Sequence, residues 1–306
     1  MTAGNQAKAR GVRLRLPATS ANLGPGFDAV GLAMSLTLLV EARVAAQDRV
    51  EATGRDAKRC GELKNNLILR TYREVMQSAG KDAPGLHLVV ENEIPLGMGC
   101  GSSAAARLAG VALANHFGEL GMDAAQIVAE ASRSEGHPDN VAACWFGGFT
   151  VSVPDGDGVA AATFPCDGTW QLVLALPQAG LATEEARAVL PQELSRADAV
   201  FNVQRAALLT AAFAQERLDL LRVAMEDRLH QPHRRKICGL LEHLERLHRA
   251  PEFAGVALSG AGPALLAILD QRTTLHAAER RLRAVLGDGV ELLPVRIGGP
   301  ATVEVL

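Results

Sequence analysis

The stretch IPLGMGCGSSAAARLAG, residues 94–110, alternates three glycines with bulkier residues, adds two serines and runs into an alanine-rich segment. Glycine has no Cβ, so Gly97, Gly99 and Gly101 allow tight turning and leave their amides, with those of Ser102 and Ser103, free to converge on an anion. A helix starting near Ser102 or Ser103 adds the positive end of its dipole at the same point. The ligand this chemistry favours is a phosphate; the alternative is a strand-to-helix turn in which glycine merely relieves crowding. Two named phosphate motifs are excluded. A Walker A loop needs Lys and then Ser or Thr after its last glycine, and no lysine lies between Lys81 and Lys236. A GxGxxG fingerprint would need glycine at 102 and a place after the first strand of a βαβ unit.

Three further segments gather polar or glycine-rich residues. SEGHPDN, residues 134–140, sets Glu135, His137, Asp139 and Asn140 between a helical run and apolar sequence. Helix capping would account for Asp and Asn there. A catalytic role needs a cation to tie a triphosphate to the protein, and Glu135 with a loop serine supplies the hard oxygens that Mg2+ prefers. PATSANLGPGFDAVGLA, residues 17–33, frames Asn22 and Asp28 with Gly24, Gly26 and Gly31, which suits either an ordinary loop or a ligand-gripping turn. LSGAGPALLAI, residues 258–268, is a glycine turn between strands, able to close a hairpin or to bring amides to the same site. His230, His233 and Glu226 share helical spacing, but a zinc site there would be half exposed and unsupported. The basic run HRRK, residues 233–236, has the pattern of a solvated helix face.

The elements that must hold these residues follow from periodicity. Val12, Leu14 and Leu16 alternate with arginines as an amphipathic strand, and period-two patterning continues through residue 53. NNLILRTYREVMQSAG is a helix stopping at Gly80, LHLVVEN a strand leading into the glycine loop, SAAARLAGVALANHF a buried helix and DAAQIVAEASRS another. β character is expected to return in EGHPDNVAACWFGGFTVSV. The turn-rich residues 154–168 are the best candidate boundary, giving units over 11–156 (phosphate loop 95–106) and 168–306. Beyond it come a strand at WQLVLALP, two or three helices over 198–248, the strand pair around 258–268, a helix near 273–286 and two terminal strands. This mixed order favours an α+β fold over a doubly wound one.

A chain of 306 residues buries about three quarters of its unfolded surface without staples. With aromatics at 4%, its core must come from Ala, Val, Leu and Ile. A formal net charge of -3 gives no general attraction to nucleic acid or anionic lipid. Five scattered cysteines without CxxC spacing suit reduced thiols, and the first fifteen residues lack an apolar signal core, so a cytoplasmic protein is expected. Whether the chain pairs is not written in the sequence, a homodimer being the commonest oligomer.

Taken in order, the four segments PATSANLGPGFDAVGLA, IPLGMGCGSSAAA, EGHPDNVAA and LSGAGPALLAI resemble the GHMP kinases, the family of galactokinase, homoserine kinase, mevalonate kinase and phosphomevalonate kinase. The likeness runs from about Val12 to the final strand, and SANLGPGFD with EGHPDN points to the branch acting on homoserine. Met98 with Cys100 departs from the family, where a smaller residue and then leucine are commoner. The resemblance implies a two-domain α+β fold with ATP and Mg2+ in a cleft between domains, and phosphorylation of L-homoserine on the way to threonine. It implies that Pro95, Leu96, Gly97, Met98, Gly99, Cys100, Gly101, Ser102, Ser103 and Ala104 bind ATP, with the phosphates held by Gly97 to Ser103 and Asn66 near the base. Ser103 or Ser102 and Glu135 would bind Mg2+, with Glu130 the alternative to Glu135. Homoserine would be gripped by Asn22, Asp28, His137, Asn140, Thr183, Arg187 and Arg234, with Asn140 orienting the hydroxyl and no side chain needed as a base. Two other outcomes fit the same family: a kinase for mevalonate or a sugar, and a non-catalytic nucleotide-binding regulator.

Overall fold

The computed structural model describes residues 11–166 and 169–306; the start of the chain and the end of the turn-rich stretch at 167 and 168 lie outside them. The chain opens with two long strands, β1 (Val12–Asn22) and β2 (Gly26–Ala45). Their alternation buries Val12, Leu14 and Leu16 while Arg13 and Arg15 face outward. There follow β3 (Arg49–Gly54), the single turn α1 (Ala57–Cys60), α2 (Leu67–Ser78), β4 (Gly85–Asn92), α3 (Ser102–Gly118), α4 (Ala124–Glu135), α5 (Asp139–Phe146), β5 (Phe149–Asp155) and β6 (Gly158–Phe164). The second half contains β7 (Gln171–Leu176), α6 (Thr183–Ala188), α7 (Arg196–Ala214), α8 (Leu218–Ala224), α9 (Gln231–Arg234), a 3-10 turn (Gly239–His243), α10 (Leu244–His248), β8 (Phe253–Leu258), β9 (Leu265–Leu269), α11 (Leu275–Leu286), β10 (Glu291–Arg296) and β11 (Thr302–Val305).

Two sheets result. One has the order β11-β1-β2-β4-β3, with β5 also on β2 and β6 beyond it; the other runs β10-β7-β9-β8. Only β3 and β4 among the paired strands run parallel. Helix α3 fills the first layer, burying Ala104, Ala105, Leu108, Ala109, Val111 and Leu113. Its small residues let α2 approach so closely that a Cβ on Gly110 would fall 2.6 Å from the Thr71 Cβ and 2.7 Å from the Ile68 carbonyl oxygen. A second apolar cluster packs α11, through Ala278, Leu282 and Val285, against the outer face of β7, β8 and β9. The fold is therefore α+β, and no helix among the described residues is long and apolar enough to cross a membrane.

Two expectations are corrected. Residues 17–33 are not a loop: they are the ends of β1 and β2 with a short turn between, bent by register shifts at Pro17/Ala18 and Ala21/Asn22. EGHPDNVAACWF does not start a strand; Asp139–Phe146 is a helix, closed by Gly147 and Gly148 at positive φ before β5 begins. Within the turn-rich stretch, the residues near 156 close the β5–β6 hairpin, and β11 from the far end of the chain joins the first sheet.

The β1–β2 turn reaches into the second half of the molecule. Asn22 Nδ2 donates to the Gly260 carbonyl (2.8 Å) and the Gly24 carbonyl meets His230 Nε2 (2.8 Å). These contacts seat the turn against the loop that joins β8 to β9 and against the start of α9.

Candidate active site

A cavity of about 600 Å³ is bordered by the glycine loop, the end of α4, the start of α5, the β1–β2 turn, α6 and α9. Gly97, Gly99 and Gly101 hold φ of +71°, +74° and +71°, and α3 begins at Ser102 with Gly101 as its N-cap. A left-handed N-cap without a capping side chain leaves the first helical amides to the cavity, as anion binding requires. The loop is fixed from behind: Ser259 Oγ donates to the Gly99 carbonyl (2.8 Å) and the Thr19 amide to the Cys100 carbonyl (3.1 Å). Burial pushes the Cys100 thiol up to about 12, so it stays neutral under the loop. Leu96, Gly97, Gly99, Cys100, Gly101, Ser102 and Ser103 border the cavity, as does Asn66, the N-cap of α2, whose Oδ1 accepts from the Leu69 amide (3.2 Å). Pro95 and Met98 instead line a smaller hollow on the opposite side of the loop, and Ala104 is wholly buried in the core. The sequence could not separate these three, because a turning loop alternates the sides it presents.

At the rim of the loop, Ser103 Oγ and Arg107 Nε both donate to Glu135 Oε2, at 2.8 and 2.7 Å. That leaves Oε1 without a hydrogen-bond partner among the described residues. Glu130 points elsewhere: it pairs with Arg133 one turn along α4 (3.0 Å) and does not border the cavity. A hydroxyl and a carboxylate with a free oxygen, next to an anion-binding loop, are the hard donors a nucleotide-bound Mg2+ takes, so the residues present fit that ion.

Across the cavity the charges form a second cluster. Asp28, itself at a φ of +57°, accepts two hydrogen bonds from the Arg187 guanidinium, at 3.0 and 2.6 Å, and its amide donates to Asn22 Oδ1 (3.0 Å). Asp28, His137 and Asp139 converge with ligand atoms within 4.8 Å of one another. His137 Nδ1 meets Asp139 Oδ1 at 2.5 Å; burial opposes the imidazolium, yet the Asp139 hydrogen bond and charge outweigh it and raise the pKa above the ordinary histidine value. Arg234 is 1% exposed, the largest wholly buried side chain among the described residues. Its guanidinium donates to the carbonyls of Ala186 (3.0 Å) and Gly260 (3.2 Å) and meets His230 Nδ1 (3.0 Å), and among the described residues no carboxylate pairs with it. Burial lowers its pKa, with Arg187 adding repulsion. The HRRK run is thus not a uniform solvated face, because Arg234 alone turns inward while Arg235 and Lys236 stay exposed. His230 is likewise buried and bonded, not poised for zinc. Thr183, the first residue of α6, completes the wall.

Asn140 sits where the two clusters meet, with Oδ1 accepting from Thr19 Oγ1 (2.7 Å) and Nδ2 donating to Asp139 Oδ1 (3.3 Å). Three residues of this network were given no role from sequence. Thr19 and Asp139 lie inside quoted segments and lack only a reason to be chosen. Arg107 is one helical turn beyond Ser103, a spacing that places it on the same face and could have found it.

A glycine loop at a helix N-terminus thus faces a pocket of opposed charges across one cavity. Residues 66–148 match the family model described as the GHMP kinases N terminal domain. The homoserine kinase of Solibacter usitatus is 46% identical, with 84% of this chain and 85% of that protein covered, and that of Deinococcus radiodurans is 42% identical, with 88% of each covered. The crystal structure of homoserine kinase from Cytophaga hutchinsonii shares the fold, with a TM-score of 0.79 at 23% identity over 96% of this chain and 97% of that one. The chain belongs to the homoserine kinases, within the GHMP kinase family.

Proposed function

We propose that this cleft carries the ATP-dependent phosphorylation of the side-chain hydroxyl of L-homoserine to O-phospho-L-homoserine, a step of threonine biosynthesis. The observation behind the reading is that one cavity holds both an anion-binding loop and a buried guanidinium, Arg234, with no carboxylate partner among the described residues. A desolvated cation without a counter-ion is costly unless a ligand supplies one. The carboxylate of an amino acid does so, and the planar fork of arginine matches its two oxygens.

On this reading the amides of Gly97 to Ser103 hold the phosphates of ATP, with Leu96 and Asn66 on the side of the base. Ser103 and Glu135 would hold Mg2+, which when bound neutralises charge on the phosphates. Asp28 receives the ammonium of homoserine, Arg187 and Arg234 its carboxylate, with Asn22, His137 and Thr183 closing the pocket. Without substrate, Asp28 and Arg187 satisfy each other; a zwitterion offers each a replacement of the right sign, whereas a neutral alcohol leaves the pair shut. Phosphoryl transfer asks mainly for alignment and charge neutralisation. Asn140, an amide, cannot take up the hydroxyl proton; it orients the alcohol, and the proton leaves through the transferred phosphate or to solvent.

ADP release measured with homoserine, mevalonate and galactose in turn tests the reading. Homoserine alone is expected to support turnover, with one phosphate added to it by mass. Turnover with mevalonate or galactose and none with homoserine would overturn the assignment.

A further inference from the structure

We propose that Thr19 is a positioning residue of the transfer: its hydroxyl fixes which atom of the Asn140 amide faces the acceptor, and its place under Gly101 keeps that amide in register with the phosphate loop. The inference rests on the cleft being the place of transfer to homoserine. Thr19 is wholly buried near the end of β1 and does not itself border the cavity.

The orientation of the Asn140 amide is set by its neighbours. Asp139 Oδ1 lies 3.3 Å from one end of that amide. A carboxylate only accepts, so the nitrogen must face it. The oxygen then faces Thr19 Oγ1 at 2.7 Å, which makes the hydroxyl the donor. Rotating the amide by half a turn would set oxygen against Asp139, a contact between two acceptors. One N–H of Nδ2 is left over, with no protein partner among the described residues, and Asn140 borders the cavity. The group offered to an entering hydroxyl is therefore a donor, which holds the oxygen by a lone pair and turns its proton away.

The second contact explains a glycine. A Cβ on Gly101 would fall 1.9 Å from Thr19 Oγ1, and the Thr19 amide donates to the Cys100 carbonyl (3.1 Å). The same side chain thus touches the N-cap of the phosphate-binding helix and the amide that faces the acceptor. Valine at 19 would keep the shape and lose the hydroxyl; the Asn140 oxygen would be left buried without its donor, free to rotate toward other partners.

The test compares Thr19→Val, Thr19→Ser and Asn140→Ala, with Thr19→Ala standing in for valine if the latter does not fold. Wild-type turnover of homoserine tests the proposed function by itself, so its failure is read separately from any effect of these variants. With folding checked by thermal melting, Thr19→Val is expected to lower kcat at least tenfold while the KM for ATP and for homoserine stay within threefold, and Thr19→Ser is expected to recover at least half of the wild-type kcat. Adding Thr19→Val to Asn140→Ala is expected to slow the enzyme by less than twofold, because the hydroxyl acts through the amide. The proposal is overturned if Thr19→Val keeps kcat within twofold of wild type, if serine is as slow as valine, or if the valine effect is undiminished in the Asn140→Ala background.

Discussion

At the scale of single residues the pocket is a set of opposed charges whose signs match an amino acid, and substitution can separate the roles. Asp28→Asn keeps the shape and removes the partner of both Arg187 and an ammonium; it is expected to raise the homoserine KM at least tenfold and leave that of ATP within twofold, about 1.4 kcal/mol per tenfold change. The Asp28–Arg187 pair is about a third exposed on each side, so little stability is expected to go with it. Arg234→Lys differs. It loses donors that now serve the Ala186 and Gly260 carbonyls, so a rise in homoserine KM should come with a lower melting temperature. Steady-state kinetics and melting of both variants check this; an unchanged homoserine KM in each would remove the amino-acid pocket. Asn22, Asp28, Glu135, His137 and Asn140 stand out in the sequence because each lies in a short polar segment that folding alone does not require, and all five border the cavity. Thr19 and Arg107 were not, because a buried threonine and a helical arginine look like their structural counterparts until their partners are known.

At the scale of elements, the periodic pieces were readable and the irregular ones were not. α2, α3, α4 and α11 carry long patterns with clear ends, and each falls where its spacing predicts. α5 was missed because its eight residues are nearly all buried and so carry no amphipathic period. The ends of β1 and β2 carry no strand pattern in the sequence because glycine and polar residues mask it where bulges bend the chain. The region expected as two or three helices over 198–248 is cut into α7, α8, α9, a 3-10 turn and α10. The packing of α2 on α3 gives a prediction in which two effects compete. Alanine is a better helix former than glycine by about 1 kcal/mol, which argues that Gly110→Ala should stabilise α3. A Cβ there would press on the backbone of α2 at Ile68 and Tyr72, at 2.7 and 2.9 Å. Overpacking of this kind costs about 1–3 kcal/mol, so the contact should win and the urea midpoint should fall. A midpoint higher than wild type would mean that α2 moves aside at little cost.

At the scale of the whole molecule, the first sheet draws on both ends of the chain, because β11 closes on β1. Nothing local in TVEV says that it will pair with VRLR almost the full length of the chain away, yet β11 lies antiparallel to β1 with Val305 opposite Val12 and Val303 opposite Leu14. The Leu306 amide also donates to the Gly11 carbonyl (2.7 Å), and Arg13 reaches Glu304 (3.2 Å). β11 thus covers the edge of β1, the strand whose other end carries Thr19 and Asn22. Its own side chains are largely exposed, so it contributes less by apolar burial than by closing a row of backbone donors and acceptors that would otherwise pair with another chain. Deleting residues 302–306 is therefore expected to lower the melting temperature by several degrees, at about 2–4 °C per kcal/mol for a chain of this size, and to produce concentration-dependent self-association. None of the deleted residues borders the cavity, so the KM for homoserine and for ATP in the dilute, folded fraction should stay near wild type. Melting and light scattering across a concentration series read both effects. If the truncated chain melts with wild type and stays monodisperse, β11 is a passive tail and the edge of β1 is protected by its arginines alone.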